Sequence, residues 1–187
     1  MVGVGVIRPR EQGDLAACVG VLRAVHEGDG YPANWPDDPE GWLTPTGMIQ
    51  AWVATDGDEI IGHVVLRGAD PVLPEADGLV ARLFVAAHAR GSTAHAGGST
   101  AHAGGSGAAT EVGGSGGRGR QGAAAGLMAA VEREAARRGL RLGLDVTDSR
   151  RRAMAFYERA GWRRVASARM EWPDTDGRPA LLHYYLR

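Results

Sequence analysis

Lysine is absent from this 187-residue chain: all 21 of its Lys/Arg positions are arginine. That absence excludes a Walker-type nucleotide loop, whose lysine reaches the phosphates, and it points to a GC-rich coding sequence. Cysteine is reduced to Cys18 alone, so no disulfide forms within the chain. Its place among Leu15, Val19 and Leu22, at helical spacing, predicts a buried spectator and not a nucleophile. A charge excess of either sign is also missing, the formal net charge being −1, which leaves no electrostatic footprint for nucleic acid or an acidic membrane surface. No apolar run reaches the roughly 18 residues of a membrane span, and Met1 to Pro9 carry no basic leader with an apolar stretch behind it. The expected location is cytoplasmic, with no membrane partner.

What is present, 44% hydrophobic residues over 187 positions, suffices for one ordinary core and a single domain over 1–187. Val4 to Ile7 predict a strand that Pro9 closes, and Leu15, Val19, Leu22 and Val25 then recur at the spacing of a helix. From Gly28 to Pro45, turn formers surround Tyr31, Trp35 and Trp42, which predicts a structured loop with at most a short helix, placed to wall a substrate pocket. Ile49 to Ala54 and Ile60 to Leu66 flank Asp56-Gly57, the dipeptide of a tight antiparallel hairpin. Leu79 to Val85 read as the next strand, Gly122 to Arg138 as a helix with Leu127, Met128, Val131 and Ala135 on one face, and Leu140 to Val146 as a strand. A second helix carries Ala153, Met154, Tyr157 and Ala160 up to Gly161, and two strands follow around Asp174-Thr175-Asp176-Gly177. The predicted order is β α β β β α β α β β, which by periodicity alone means an α/β or α+β enzyme.

Between the central strand and its helix, 91–119 is built from Gly, Ser, Thr and Ala, with Ser-Thr-Ala-His-Ala-Gly-Gly twice in tandem at Ser92 to Gly98 and Ser99 to Gly105. So few large apolar groups do not offset the entropy of ordering, and a flexible insertion is expected. His95 and His102, without a third ligand nearby, predict no metal site.

The densest chemical signal follows: Arg118-Gly-Arg-Gln-Gly-Ala-Ala-Ala-Gly-Leu-Met128, a Gly-rich segment running into an amphipathic helix. A helix N-terminus presents unpaired N–H groups and partial positive charge, so Gly122, Ala123 and Ala124 suit a pyrophosphate, with Arg118 and Arg120 adding charge. Gly117-x-Gly119-x-x-Gly122, with Asp145 downstream, also matches the dinucleotide fingerprint. Against that match, no strand immediately precedes the glycines and a β-hairpin closes the chain where further βαβ units belong.

Leu83-Phe-Val, then Ala89-Arg90-Gly91, then Gly122-x-Ala124-x-x-Leu127-Met128 resemble motif A of the GNAT (Gcn5-related N-acetyltransferase) superfamily. Gly119 stands where Arg or Gln is usual. Joining Arg90-Gly91 to Arg120 restores Ala-Arg-Gly-Arg-Gln-Gly, as though the insertion had entered the motif. Ser149 to Trp162 resembles motif B through Ala153, Phe156, Tyr157, Glu158, Gly161 and Trp162, with Arg150 at the usual Asn position.

This resemblance covers nearly the whole chain and implies a mixed, mostly antiparallel sheet of about six to seven strands with about four flanking helices. The sheet would splay at its two central strands, between Leu83–Val85 and Leu144–Val146. The implied enzyme is an acyl-CoA N-acyltransferase using acetyl-CoA as co-substrate. It would acetylate a primary amine, a small molecule ahead of protein N-termini or lysine side chains, by direct attack in a ternary complex, as a monomer or homodimer. Leu83, Phe84, Val85, Arg118, Arg120, Gln121, Gly122, Ala123, Ala124 and Arg150 would bind the cofactor, and a backbone N–H near Val85 would meet the oxyanion. Tyr157 would protonate the departing thiolate as general acid. For the base that deprotonates the amine, Asp77 ranks first, with Glu75, Asp145, His63 and His183 open and His26 and His88 behind them. Tyr31, Trp35, Trp42 and Trp52 would wall the acceptor pocket. A non-catalytic acyl-CoA-binding module and, more remotely, a nicotinamide-dependent oxidoreductase remain as other readings of these residues.

Overall fold

The computed structural model describes residues 6–89, 122–173 and 177–187. The 91–119 insertion with Arg118, and Arg120 and Gln121 after it, lie outside the described residues. Strands β1 (Val6–Pro9), β2 (Met48–Asp56), β3 (Glu59–Gly68), β4 (Gly78–Val85), β5 (Leu142–Thr147), β6 (Arg163–Pro173) and β7 (Pro179–Leu186) form one sheet in the order β1-β2-β3-β4-β5-β7-β6. Its helices are α1 (Leu15–Asp29), α2 (Pro39–Leu43), α3 (Ala123–Arg138) and α4 (Arg151–Arg159). Only β4 and β5 run parallel; the other neighbours are antiparallel. The mixed, mostly antiparallel architecture is the expected one, element for element, with α2 as the short helix of the Gly28 to Pro45 segment.

Local chemistry sets the element ends. In α1, Leu15, Cys18, Leu22 and Val25 point inward at helical spacing, and Gly30 stops the helix in the left-handed region at φ 66, donating its N–H to the His26 carbonyl at 2.8 Å. The Asp38 carboxylate accepts from the Gly41 N–H at 3.0 Å and so caps α2, which Pro39 opens. The β2–β3 hairpin closes at Asp56↔Glu59, leaving Gly57, at φ 59, and Asp58 as its two-residue turn. In β6 and β7 the register runs out to Pro173↔Pro179; residues 174–176 lie outside the described residues.

Two layers of helix sandwich the sheet. On one face Leu15, Cys18, Leu22 and Leu43 pack against Val53, Ile60 and Phe84. On the other, α3 and α4 press Leu127, Met128, Val131 and Tyr157 onto Ile61, Val64, Val80 and Leu144. Each fully buried Leu or Val in these layers contributes about 1.5–3 kcal/mol by leaving water. Cys18 belongs to the first layer, and burial pushes its thiol up to about 11, as befits a spectator. A third cluster joins Leu73, Ala76 and Leu79 to Leu182 and Tyr184. It closes over Gly143, where an added Cβ would meet the Ala76 Cβ at 2.8 Å. Among the described residues, no helix is long and apolar enough to cross a membrane.

Candidate active site

β4 and β5 are joined at Gly78↔Leu142 and Leu79↔Gly143, and no ladder pair links them beyond. The cause lies in β4. Its register on β3 steps from Val65↔Ala81 to His63↔Phe84, so Arg82 and Leu83 together oppose Val64, and Arg82 sits at φ 55. Such a bulge bends the strand and strengthens its local twist, turning the C-terminal half of β4 away from β5. The bulge is braced from beneath by His63, which is fully buried. Arg10 can only donate, so His63 Nε2 accepts from its guanidinium at 3.0 Å, and the imidazole proton resides on Nδ1, which donates to the Arg82 carbonyl at 3.2 Å. Burial pushes this imidazole down to about 4. With both nitrogens engaged in the core, His63 is a strut for the bulge and not a base facing substrate.

The cofactor side of the opening follows from α3. Three residues separate α3 from β5, so its C-terminus is at the paired end of the strands. Its N-terminus lies about 24 Å away at the helical rise of about 1.5 Å per residue, over the open end. Packing agrees: an added Cβ on Gly62 would meet Leu127 Cδ1 at 3.2 Å and Val85 Cγ2 at 3.1 Å, so the first turns of α3 cover the end of β4. Gly122 caps α3 with extended backbone and no side-chain cap, and Ala123 and Ala124 are half-buried. The first turn of α3 itself carries only the methyl side chains of Ala123, Ala124 and Ala125, which leave room for an anion such as a diphosphate at its N–H donors. Leu83 and Val85 face the α3 side and Phe84 the α1 side, so the expected strand residues do border the opening.

Arg150, expected to reach toward the cofactor, is occupied otherwise. Its guanidinium donates to the carbonyls of Asp29, at 2.6 Å, and Gly30, and lies 5.7 Å from the Tyr31 ring centroid. It locks the end of α1 to the start of α4 across the mouth of the opening.

The reactive groups gather around the gap itself. Tyr157, buried on α4, packs with Phe156, Trp162 and Tyr185 at ring separations of 5.4, 6.1 and 6.4 Å. Burial pushes its phenol well above the ordinary range, with Tyr31 and Asp145 adding to the rise. Tyr31 is likewise raised by burial, to about 12, with Arg82 opposing. On β5, Asp145 opens to solvent on the cleft side yet is surrounded by protein mass, which raises its carboxyl, while Arg67 and Arg82 pull it down. Leu144 and Val146 face α3, so Asp145 projects to the α1 face, and its charge is near enough to add to the rise of the Tyr157 phenol.

Other predicted candidates fall elsewhere. Asp77 stands at the paired end, where its carboxylate accepts from the Arg141 N–H at 3.0 Å and its own N–H donates to the Arg141 carbonyl. That is about 20 Å of strand from the open end at 3.3 Å per residue, so the structure does not bring Asp77 to Tyr157. Instead, Asp77 pins β4 to β5 where they must stay together. His183 bridges Ser167 Oγ at 2.7 Å and Asp148 at 3.1 Å, tying β6 and the β5–α4 turn to β7. Of the four aromatics, Tyr31 and Trp42 meet edge to face at 5.9 Å beside Arg82, whose guanidinium stacks 3.9 Å over Trp42. Trp35 packs on His26 and Arg23 instead, and Trp52 is a core residue on the α3 face. Arg82 escaped the sequence reading, although it is the one charged residue in Leu-Val-Ala-Arg-Leu-Phe-Val, an anomaly that marks a special strand position.

Comparison with known proteins supports the same assignment. The description "Acetyltransferase (GNAT) family" matches residues 116–162, the segment from the cofactor cradle to the end of α4. No curated protein matches the chain in sequence. Among solved structures, the ribosomal-protein-S18-alanine N-acetyltransferase of Escherichia coli is similar at 16% identity and a TM-score of 0.65, covering 97% of this chain and 92% of its own. An N-acetyltransferase of Staphylococcus aureus Mu50 is similar at 14% identity and a TM-score of 0.67, covering 99% and 98%. Arabidopsis thaliana NAA60, solved with a bisubstrate analogue, gives 16% identity and a TM-score of 0.64, covering 98% and 97%. At these identities the likeness is one of fold. The match to the acetyltransferase (GNAT) family thus lies across the start of α3 and α4, within a fold that this chain shares with these N-acetyltransferases along nearly its whole length.

Proposed function

We propose that this enzyme moves the acetyl group of acetyl-CoA to a primary amine, a small molecule by preference, by direct attack within a ternary complex in a single domain. The carrying observation is the parting of β4 and β5 beyond Leu79↔Gly143, with Asp145 on β5 beside the gap and Tyr157 buried on α4, near enough for the Asp145 charge to add to the rise of its phenol. Acetyl-CoA would supply the acyl group as a thioester, its diphosphate at the N–H groups of Ala123 and Ala124 and its extended arm along Leu83 to Val85. Arg118, Arg120 and Gln121 would add to the phosphate end.

From the opposite face Asp145 takes the ammonium proton of the acceptor, directly or through one water. Its raised pKa makes it a stronger base than an ordinary carboxylate. The nitrogen then attacks the acyl carbon, the C–S bond breaks, and the proton that the new amide nitrogen must lose passes through solvent to the departing thiolate, which leaves as the thiol. Tyr157 keeps its own proton under all working conditions, because burial raises it so far. A thiol ionises near about 8.5, so complete transfer from this phenol is uphill. The contribution of Tyr157 is therefore a hydrogen bond donated to the departing sulfur, in a site dry enough to strengthen it.

The test is thiol release followed with a colorimetric reagent across an amine panel, alongside thermal unfolding. At 100 times its dissociation constant acetyl-CoA should add about 2.7 kcal/mol of stability. Tyr157→Phe should keep that stabilisation and lose about 10²- to 10⁴-fold in kcat. Stabilisation without turnover of any amine would favour an acyl-CoA-binding module, and stabilisation by NADH in place of acetyl-CoA would favour an oxidoreductase.

A further inference from the structure

Two cavities on the α1 face meet at Asp145. The larger, about 340 Å³, is lined by Pro45, Thr46, Arg67, Ala81, Arg82 and Asp145. The smaller, about 160 Å³, shares Arg67 and Asp145 with it, takes in Asp70, and is otherwise walled by Val72, Leu73, Leu79, Leu144, Met170, Leu182 and Tyr184.

The two differ in chemistry. In the larger, Arg67 already holds Asp70 at 2.7 Å. Arg82 has no such partner: among the described residues no carboxylate comes within 4.0 Å of its guanidinium. Its Nε donates to the Trp42 carbonyl at 3.2 Å and its plane stacks on the Trp42 ring. That leaves the two terminal nitrogens of a half-buried cation, fixed in place by a strained bulge, without an anion. A desolvated guanidinium costs free energy until a carboxylate or similar anion meets its fork. In the smaller cavity the walls are apolar apart from Asp145 and the Arg67–Asp70 pair, which satisfy each other, and the buried Tyr184 hydroxyl has no hydrogen-bond partner among the described residues.

We infer that the acceptor is a free α-amino acid with a predominantly apolar side chain, its carboxylate on Arg82, its amine at Asp145 and its side chain in the Leu73–Leu182 cavity. The inference rests on the acetyl-transfer reading above. An amino acid places anion and amine on adjacent carbons, the separation that an arginine and a carboxylate lining one cavity can span together. The side chain leaves the same carbon and has only the apolar cavity beside Asp145 to enter. A side-chain acceptor atom, such as a thioether sulfur, would also satisfy the Tyr184 hydroxyl.

The experiment compares leucine, methionine and phenylalanine with their amides, with the amines that lack the carboxyl group, and with aspartate and arginine, reading kcat/KM by thiol release. Expected is at least about a tenfold preference for each apolar amino acid over its amide and its amine, the worth of one charge-assisted interaction. Arg82→Asn, a residue type that tolerates positive φ, should bring the ratio of acid to amide close to unity, and Arg82→Lys should restore part of it. Amides and amines turned over as well as the amino acids, or an undiminished ratio in Arg82→Asn, would overturn the inference while leaving acetyl transfer standing. A preference for aspartate or arginine would overturn the placement of the side chain. Failure to turn over any amine would instead remove the acetyl-transfer reading on which the inference depends.

Discussion

His63 makes protein stability depend on pH in a window where few carboxylates titrate. In the folded protein burial holds its imidazole down at about 4, against 6.5 for the free side chain. A depressed histidine means that the unfolded chain binds the proton first. Stability from this group is therefore complete above about pH 7 and falls as pH drops through 6.5 toward 4. At about 1.36 kcal/mol per pH unit, the loss reaches about 2 kcal/mol at pH 5 and about 3 kcal/mol in all. His63→Gln is the informative variant, since its amide N–H can still donate to the Arg82 carbonyl and its oxygen can still accept from Arg10, while nothing titrates. Urea unfolding at a series of pH values should find the variant less stable than the parent at pH 7.5. Its decline between pH 7.5 and pH 5 should be smaller by about 2 kcal/mol, so that the two curves converge. Contributions from the rest of the chain are common to both proteins and cancel. Parallel curves would refute the reasoning, because they would mean that the imidazole at the bulge is neither neutral nor desolvated.

Asp145→Asn should lower kcat/KM about 10²-fold or more at neutral pH, and in the parent the rate should rise with pH through an acidic limb lying above the usual carboxylate range, because burial raises that carboxyl; a profile unchanged by the substitution would exclude Asp145 as the base. Gly143→Ala should cost about 1–3 kcal/mol, read as a lower urea midpoint at constant slope, since the new Cβ would collide with Ala76 and Leu79. Gly122→Leu should raise the acetyl-CoA dissociation constant measured by calorimetry while lowering the melting temperature of the free protein only by the cost of a poorer helix cap, since the residue caps α3 outside the core. Cys18, buried and with its thiol pushed up to about 11, should label with a thiol reagent only as fast as the native protein opens; rapid labelling of the folded protein would contradict its burial.

The order of elements was legible in the sequence because it rests on short-range periodicity. Leu15, Cys18, Leu22 and Val25 determine an inward stripe wherever α1 packs, and Gly57 takes its positive φ whatever the sheet contains. The start of α3 was legible for the same reason: the N–H donors of Gly122 to Ala124 belong to a helix that its own residues specify. Tyr157 was placed by the spacing of its motif. Which carboxylate stands beside the opening was not local information. Asp77 and Asp145 both border β-strands in an apolar context, and only the register assigns them: the ladder at Gly78↔Leu142 puts Asp77 at the paired end and leaves Asp145 beside the gap. Arg150 and His63 likewise took their roles from partners far away in sequence, the α1 carbonyls and the β4 bulge. The sequence by itself determined the elements, their order and the glycine-capped start of α3, because these follow from neighbours within a few residues. The tertiary structure alone decided which groups meet across the opening, because strand register and the bend at Arg82 are settled by contacts between segments that the chain brings together only on folding.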